Sequence, residues 1–208
     1  MDRKAGAALA ADNAAAAALD SSLRDAVARS DVPGAVALVT DRKGVLYQGA
    51  FGVADVATRR PLTEDALFRI ASMTKPITSL ALMQLVEQGR IGLDDAAEKY
   101  LPELAHLKVF ESFDAATGAY RLRPASRPAT PRHFLTHPSG LAYPFTSEIW
   151  RDFKPGDGEV YPFGGPLLFD PGERWHYSTS TDTVGRVVEK VSGLKLEDYF
   201  RTHIFAPL

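Results

Sequence analysis

The chain has no cysteine in its 208 residues, which removes disulfides, zinc–thiolate centres and thiol nucleophiles from consideration. No apolar run approaches the ~20 residues of a membrane span, so no membrane partner is expected. Neither sign of charge is in excess: 24 Lys and Arg against 26 Asp and Glu leave a formal net charge of −2. Nucleic acid is therefore not an expected partner, since no basic stripe stands out. Arg121, Arg123, Arg127 and Arg132 are interrupted by prolines and read as a solvated loop. The five histidines (His106, His133, His137, His176 and His203) lack His-Glu-x-x-His or similar spacing, so neither metal nor cofactor is expected. No glycine-rich phosphate loop is present, and no Gly-x-Ser-x-Gly elbow of the α/β-hydrolase kind. The alanine-rich N-terminus carries Asp2, Asp12 and Asp20 and has no leucine-type apolar core. Residues 1–31 thus read as a leader and a helix rather than a signal peptide, and the cytoplasm is the expected location.

What is present is a mixture of helical and strand patterns. Ala14 to Ala28 predicts an amphipathic helix capped by Asp12 or Asn13, with Leu19, Leu23 and Val27 on one face. Ala35 to Thr40 and Val45 to Gly52 are β-rich runs joined by Asp41-Arg42-Lys43-Gly44, a hairpin signature. Lys108 to Pro131 reads as loop or short strand. Thr130-Pro131 marks a helix start, a capping threonine followed by proline at the first position. Leu141 to Asp170, rich in Gly, Pro and aromatics without periodicity, reads as a long surface loop of the kind that is usually functional. Thr181 to Ser192 predicts a helix with Val184, Val187, Val188 and Val191 facing inward, and Leu196 to His203 predicts another.

The chemistry points to Ser72-Met73-Thr74-Lys75. A serine hydroxyl is a weak nucleophile until a base takes its proton. A lysine three residues on shares its helix face. Burial and the positive end of the helix dipole would disfavour the ammonium form and leave an amine able to act near pH 7. Ile77, Leu80, Ala81, Leu82, Met83, Leu85 and Val86 cover most of the following helix, which predicts a buried element ending near Gly89. The competing reading makes Ser72 a helix cap and Lys75 a solvated charge. Ser192-Gly193-Leu194-Lys195 matches the same spacing but sits where a helix ends, a capping environment. Ser139 beside His137 is set aside as a triad, because residues so close in sequence rarely meet as nucleophile and base. Tyr177 is a second candidate base, since a phenol beside an ammonium is held partly as phenolate. Trp175, two residues earlier, either walls a pocket beside it or fills core.

Ser72-x-x-Lys75 followed by Tyr177-Ser178-Thr179 resembles the serine β-lactamase and penicillin-binding protein superfamily, closest to its class C-like branch with the family VIII carboxylesterases. Further matching segments are Leu67 to Ala71, Leu135 to Leu141, Leu167 to Gly172 and Ile204 to Leu208, so the resemblance covers nearly the whole chain from about Val32. It implies an α+β fold, an antiparallel sheet flanked by helices plus a helical region. It also implies a transpeptidase-like domain over 32–208 holding the N-terminal part of that fold and incomplete at its C-terminus. The implied reaction is a two-step acyl transfer through an acyl-enzyme on Ser72, with Lys75 and Tyr177 sharing the proton work and Trp175 and Thr179 contacting substrate. Three features depart from the family pattern. The late Lys, His or Trp motif that supplies an oxyanion-hole N–H has no copy here. Thr179 stands where many β-lactamases carry asparagine, which tilts the expectation toward short-chain esters with weak β-lactamase activity. His137-Pro138-Ser139-Gly140 replaces the usual His-Thr-Ser-Gly, and the stretch from Leu141 to Pro166 is short. The expected activity is that of a serine carboxylesterase on a small-molecule ester. The alternatives are a D-Ala-D-Ala peptidase or acyltransferase, or a non-catalytic fragment or pseudo-enzyme. A second chain or a C-terminal segment is expected to complete the sheet.

Overall fold

The computed structural model describes residues 13–161 and 163–208. The leader over 1–12 and the expected capping side chain of Asp12 or Asn13 lie outside the described residues. The chain divides into two compact units, one ending at Arg69 and one beginning at Ile70.

In the first unit, helix α1 (Asn13–Ala28) accompanies strands β1 (Gly34–Thr40), β2 (Val45–Asp55) and the two-residue β3 (Arg60–Pro61). The sheet order is β1-β2-β3 and both pairings are antiparallel. The hairpin forms at the expected turn. Asp41 Oδ1 accepts from the N–H groups of Lys43 (2.6 Å) and Gly44 (3.0 Å), the side-chain turn that aspartate favours. Leu23 and Val27 are half-buried on α1, whereas Leu19, expected on the same face, is 41% exposed. Asp20 instead faces inward and accepts from the Tyr47 hydroxyl of β2 at 2.7 Å. Helix α1 thus shares a unit with the hairpin, where the sequence set residues 1–31 apart.

The second unit holds the larger core. A 3₁₀ turn (Ala71–Met73) leads into α2 (Thr74–Glu87). Strands β4 (Lys108–Phe113) and β5 (Tyr120–Pro124) follow, then α3 (Pro131–Thr136), α4 (Glu148–Asp152), α5 (Ser180–Ser192) and α6 (Leu196–Phe200), which continues as a π-helical turn to Phe205. Helix α3 starts as expected: Thr130 Oγ1 accepts from His133 N–H, and the His133 ring accepts from Thr130 N–H. Helix α5 buries Val184, Val187 and Val188 against α2, which contributes Ala81, Leu82 and Leu85. Each such aliphatic side chain contributes roughly 1.5–3 kcal/mol on burial. The expectation that α2 is buried all round fails: Met73, Leu80 and Met83 are exposed, and only the face toward α5 is enclosed. An apolar circumference marks a helix that can be covered on every side, and here one side has a partner.

Of the two readings of Lys108 to Pro131, loop or short strand, part of it takes the second, as the β4–β5 hairpin. One further expectation is corrected. Leu141 to Asp170 is not a surface loop. It contains α4 and buries Leu141, Ala142, Trp150, Phe163, Leu167 and Phe169. These side chains enter the core singly rather than along a periodic face, so no period announces them. Trp150 Nε1 donates to the Pro166 carbonyl at 2.7 Å, and Leu167 bridges β4 with hydrogen bonds to Lys108 and Phe110. Gly140, at φ +88°, lets the chain pass the Phe169 carbonyl, which would lie 2.4 Å from a Cβ there. Among the described residues no helix is long and apolar enough to cross a membrane.

Candidate active site

The second unit alone brings Ser72, Lys75 and Tyr177 together. Ala71, just before the serine, has φ of 45°. That left-handed conformation costs a non-glycine residue about 1 kcal/mol or more, strain of the kind that collects at functional sites. Ser72 caps neither the 3₁₀ turn nor α2 through its side chain. Its Oγ instead lies 2.6 Å from Tyr177 Oη, 105 residues away in sequence. Tyr177 arrives on the segment between Gly172 and α5. Gly172 N–H bonds to the Pro138 carbonyl and His176 N–H to the His137 carbonyl, which tie that segment to the loop after α3. Ser139, Ser178 and Ser180 are all fully buried, and their hydroxyls form a chain with two 2.6 Å links. Ser139 is therefore part of the scaffold, and Ser192 accepts from Leu194 N–H beyond the end of α5.

Lys75, the second residue of α2, places its Nζ 4.9 Å from the centre of the Tyr177 ring and 5.6 Å from that of Tyr143. It also donates to Tyr143 Oη at 3.3 Å. Burial pulls its proton affinity down, but hydrogen bonding to Tyr177 and Tyr143 and the field of both oxygens outweigh that, and the net shift is upward. The sequence predicted the opposite sign, a neutral amine. The Tyr177 hydroxyl moves downward, chiefly through its hydrogen bonds to Ser72 and Lys75. The two shifts run in opposite directions, toward an ammonium on Lys75 and toward a more acidic phenol on Tyr177. His137, whose ring centre is 5.0 Å from that of Tyr177, is held neutral by its own burial and by Lys75.

Trp175 is 66% exposed and stacks 6.5 Å from Tyr177, so it does not fill core. Thr179, expected to contact substrate, has its hydroxyl fully enclosed and without a hydrogen-bond partner, at the N-cap of α5. Two residues not foreseen line the cavity of about 560 Å³ next to Ser72: Tyr143, stacked on Phe145 at 4.7 Å, and Asp182 in the first turn of α5. Both lie beside quoted sequence segments, Tyr143 two residues past Leu141 and Asp182 three past Thr179, yet neither has a pattern of its own.

A serine touching a tyrosine, with a lysine three residues on, is an arrangement chemically able to pass a proton from the serine hydroxyl. A family profile described as Beta-lactamase matches residues 19–208, and the chain belongs to that family. Its relatives are enzymes. It is 37% identical over 205 residues to acyltransferase mokF of Monascus pilosus, a match covering 91% of this chain and 49% of that protein. It is 36% identical over 196 residues to esterase EstB of Burkholderia gladioli, covering 87% of this chain and 46% of that one. Among solved structures, the LovD6 mutant of simvastatin synthase from Aspergillus terreus superposes with a TM-score of 0.81 at 36% identity, covering 92% of this chain and 49% of that one. The chain spans about half the length of the curated relatives it matches.

Proposed function

We propose that this chain carries the acylation site of a serine acyltransferase that moves a short acyl group from an ester or thioester donor to a hydroxyl acceptor. The observation that carries the reading is the 2.6 Å contact between Tyr177 and Ser72, which together with Lys75 shifts the tyrosine downward. As Ser72 Oγ attacks the acyl carbonyl, Tyr177 takes its proton. Tyr177 then returns the proton to the departing alkoxide or thiolate, leaving the acyl group on Ser72. The acceptor hydroxyl repeats the cycle: it gives its proton to Tyr177, attacks the acyl-enzyme, and Ser72 recovers the proton as it leaves. The backbone N–H groups of the first turn offer partial positive charge to the carbonyl oxygen during both attacks. The name of mokF favours transfer, and that of EstB supports a second reading in which water replaces the acceptor. Ester hydrolysis, the first expectation from sequence, thereby moves to second place. The enclosed Thr179 hydroxyl no longer argues for either substrate.

On the same reading a further strand, from a second chain or another segment, pairs along β1. Among the described residues β1 bonds to β2 alone, and its Leu38 and Val39 are exposed.

The test uses p-nitrophenyl butyrate as donor, with and without n-butanol, and mass spectrometry of the products and the protein. Transfer predicts a butyryl adduct on the Ser72 peptide, butyl butyrate as a product, and loss of both in Ser72→Ala. Release of butyrate alone at saturating butanol points to hydrolysis, and an adduct on any other serine overturns the site.

A further inference from the structure

Two tyrosines flank the Lys75 ammonium, and only one of them touches Ser72. Their rings lie 5.7 Å apart, and Nζ sits over both. Tyr143 Oη accepts from Lys75 Nζ at 3.3 Å and donates to Asp182 Oδ2 at 3.4 Å. Phe145, stacked on the Tyr143 ring, keeps it in place. Asp182 comes from the first turn of α5 and lines the same cavity as Ser72.

We propose that Tyr143 and Asp182 are positioning residues that pin the Lys75 ammonium and hold the proton on Tyr143, so that Tyr177 is the phenol that ionises. The proposal rests on Tyr177 being the base at Ser72. An ammonium midway between two equivalent phenols would acidify both, and a charge on Tyr143 would be wasted because that oxygen does not reach the serine. A carboxylate accepting the Tyr143 proton breaks the symmetry: a phenolate facing a carboxylate is repelled, whereas a phenol donates to it. Burial, and then the Asp182 field, hold the Tyr143 hydroxyl above the usual tyrosine range against the opposing pull of Lys75, while Tyr177 is shifted downward. The charged and titratable groups facing Tyr177 are Lys75 from α2, Tyr143 from the loop after α3, neutral His137, and Asp182 from α5, whose field opposes Lys75. Arg186 and Glu189 line the cavity from α5, but Arg186 is bonded to Glu103 and Glu189 to Leu196 N–H.

The test is an ultraviolet phenolate titration, the Tyr177 signal being isolated by subtracting the Tyr177→Phe trace. It is run on wild type, Tyr143→Phe and Asp182→Asn, both variants keeping shape and packing. In Asp182→Asn, removing the opposing carboxylate lets Tyr177 lose its proton at lower pH, and a second phenolate, from Tyr143, follows. In Tyr143→Phe the ammonium is no longer pinned, Tyr177 titrates closer to a free phenol, and acylation of Ser72 slows about 10- to 100-fold, the loss of one hydrogen bond to a charged group. An unchanged Tyr177 titration in both folded variants overturns the proposal while leaving Ser72 acylation intact. Absence of any acyl adduct on wild-type Ser72 overturns the functional reading beneath it, and the titration still reports on the phenols.

Discussion

Asp170→Asn tests the clamp that delivers Tyr177 to the serine. Asp170 lies just before the Pro171-Gly172 turn. Its carboxylate takes two hydrogen bonds from Arg123, at 3.1 and 2.7 Å, and a third from Ser126 N–H at 2.7 Å. These contacts, Arg123 first, lower its pKa from the ordinary aspartate value of 3.8 to about 2. At ~1.4 kcal/mol per unit, that difference corresponds to about 2.5 kcal/mol of folding free energy at neutral pH. The Arg123 side chain is 40% exposed, so solvent screening brings the expected loss to between about 1 and 2 kcal/mol. In a chain of this size that lowers Tm by roughly 4 °C. The folded value is depressed, so the stabilisation is fully present above the unfolded value and fades as pH falls through about 2. Thermal unfolding of wild type and Asp170→Asn is followed from pH 7 to pH 2. The two curves separate at pH 7 and converge at the acid end. A gap that persists unchanged at pH 2 would falsify the charge argument, and no gap at pH 7 would show that Arg123 gains nothing from its partner.

The remaining expectations concern the site and its scaffold. Tyr177→Phe and Lys75→Ala should each reduce acyl transfer by about 10² or more while leaving the circular dichroism spectrum unchanged, and the double variant should lose far less than the product of the two; near-wild-type turnover in either single variant rejects the shared role. The kcat/KM profile should climb with pH through the lowered Tyr177 value, its acid limb falling below the ordinary tyrosine value of 10.0, because the phenolate is the active form. An acid limb at or above that value contradicts the assignment. Gly140→Ala should destabilise the fold by about 2 kcal/mol or more, since the new Cβ meets the Phe169 carbonyl and φ is positive; urea unfolding measures it. Finally, the exposed stripe of Met73, Leu80 and Met83 on α2 should bind a hydrophobic dye, and Leu80→Gln with Met83→Gln should reduce that fluorescence without loss of stability.

Elements whose signals are local were legible in the sequence. Thr130-Pro131 announces α3 because a cap and a first-turn proline act within four residues. The α5 valines announce their helix because they recur at helical spacing along one face that turns into the core. The Asp41 to Gly44 turn closes a hairpin through a single side chain. Elements whose residues have different partners were not legible. Trp150 answers to the Pro166 carbonyl and Leu167 to β4, so their spacing carries no period. Prolines conceal β5, although it ends at Pro124, where no further ladder hydrogen bond is needed from the ring nitrogen.

The candidate site follows the same division. Ser72, in the 3₁₀ turn, and Lys75, in the first turn of α2, are three residues apart along continuous helical chain, so their nearness can be read directly. Tyr177 reaches them only through the fold, and its identification came from resemblance rather than from spacing. The charge on Lys75 was read with the wrong sign because the two terms visible in sequence, burial and the helix dipole, both disfavour an ammonium. The deciding terms come from two phenol oxygens on other segments, and one of those, Tyr143, lies in a stretch without periodicity. Base assignment in such a site therefore depends on the partners across the cavity more than on the motif that carries the nucleophile. On the proposed reading, the Ser-x-x-Lys spacing locates the chemistry, while the asymmetry between Tyr177, bonded to Ser72, and Tyr143, bonded to Asp182, selects the oxygen that takes the proton.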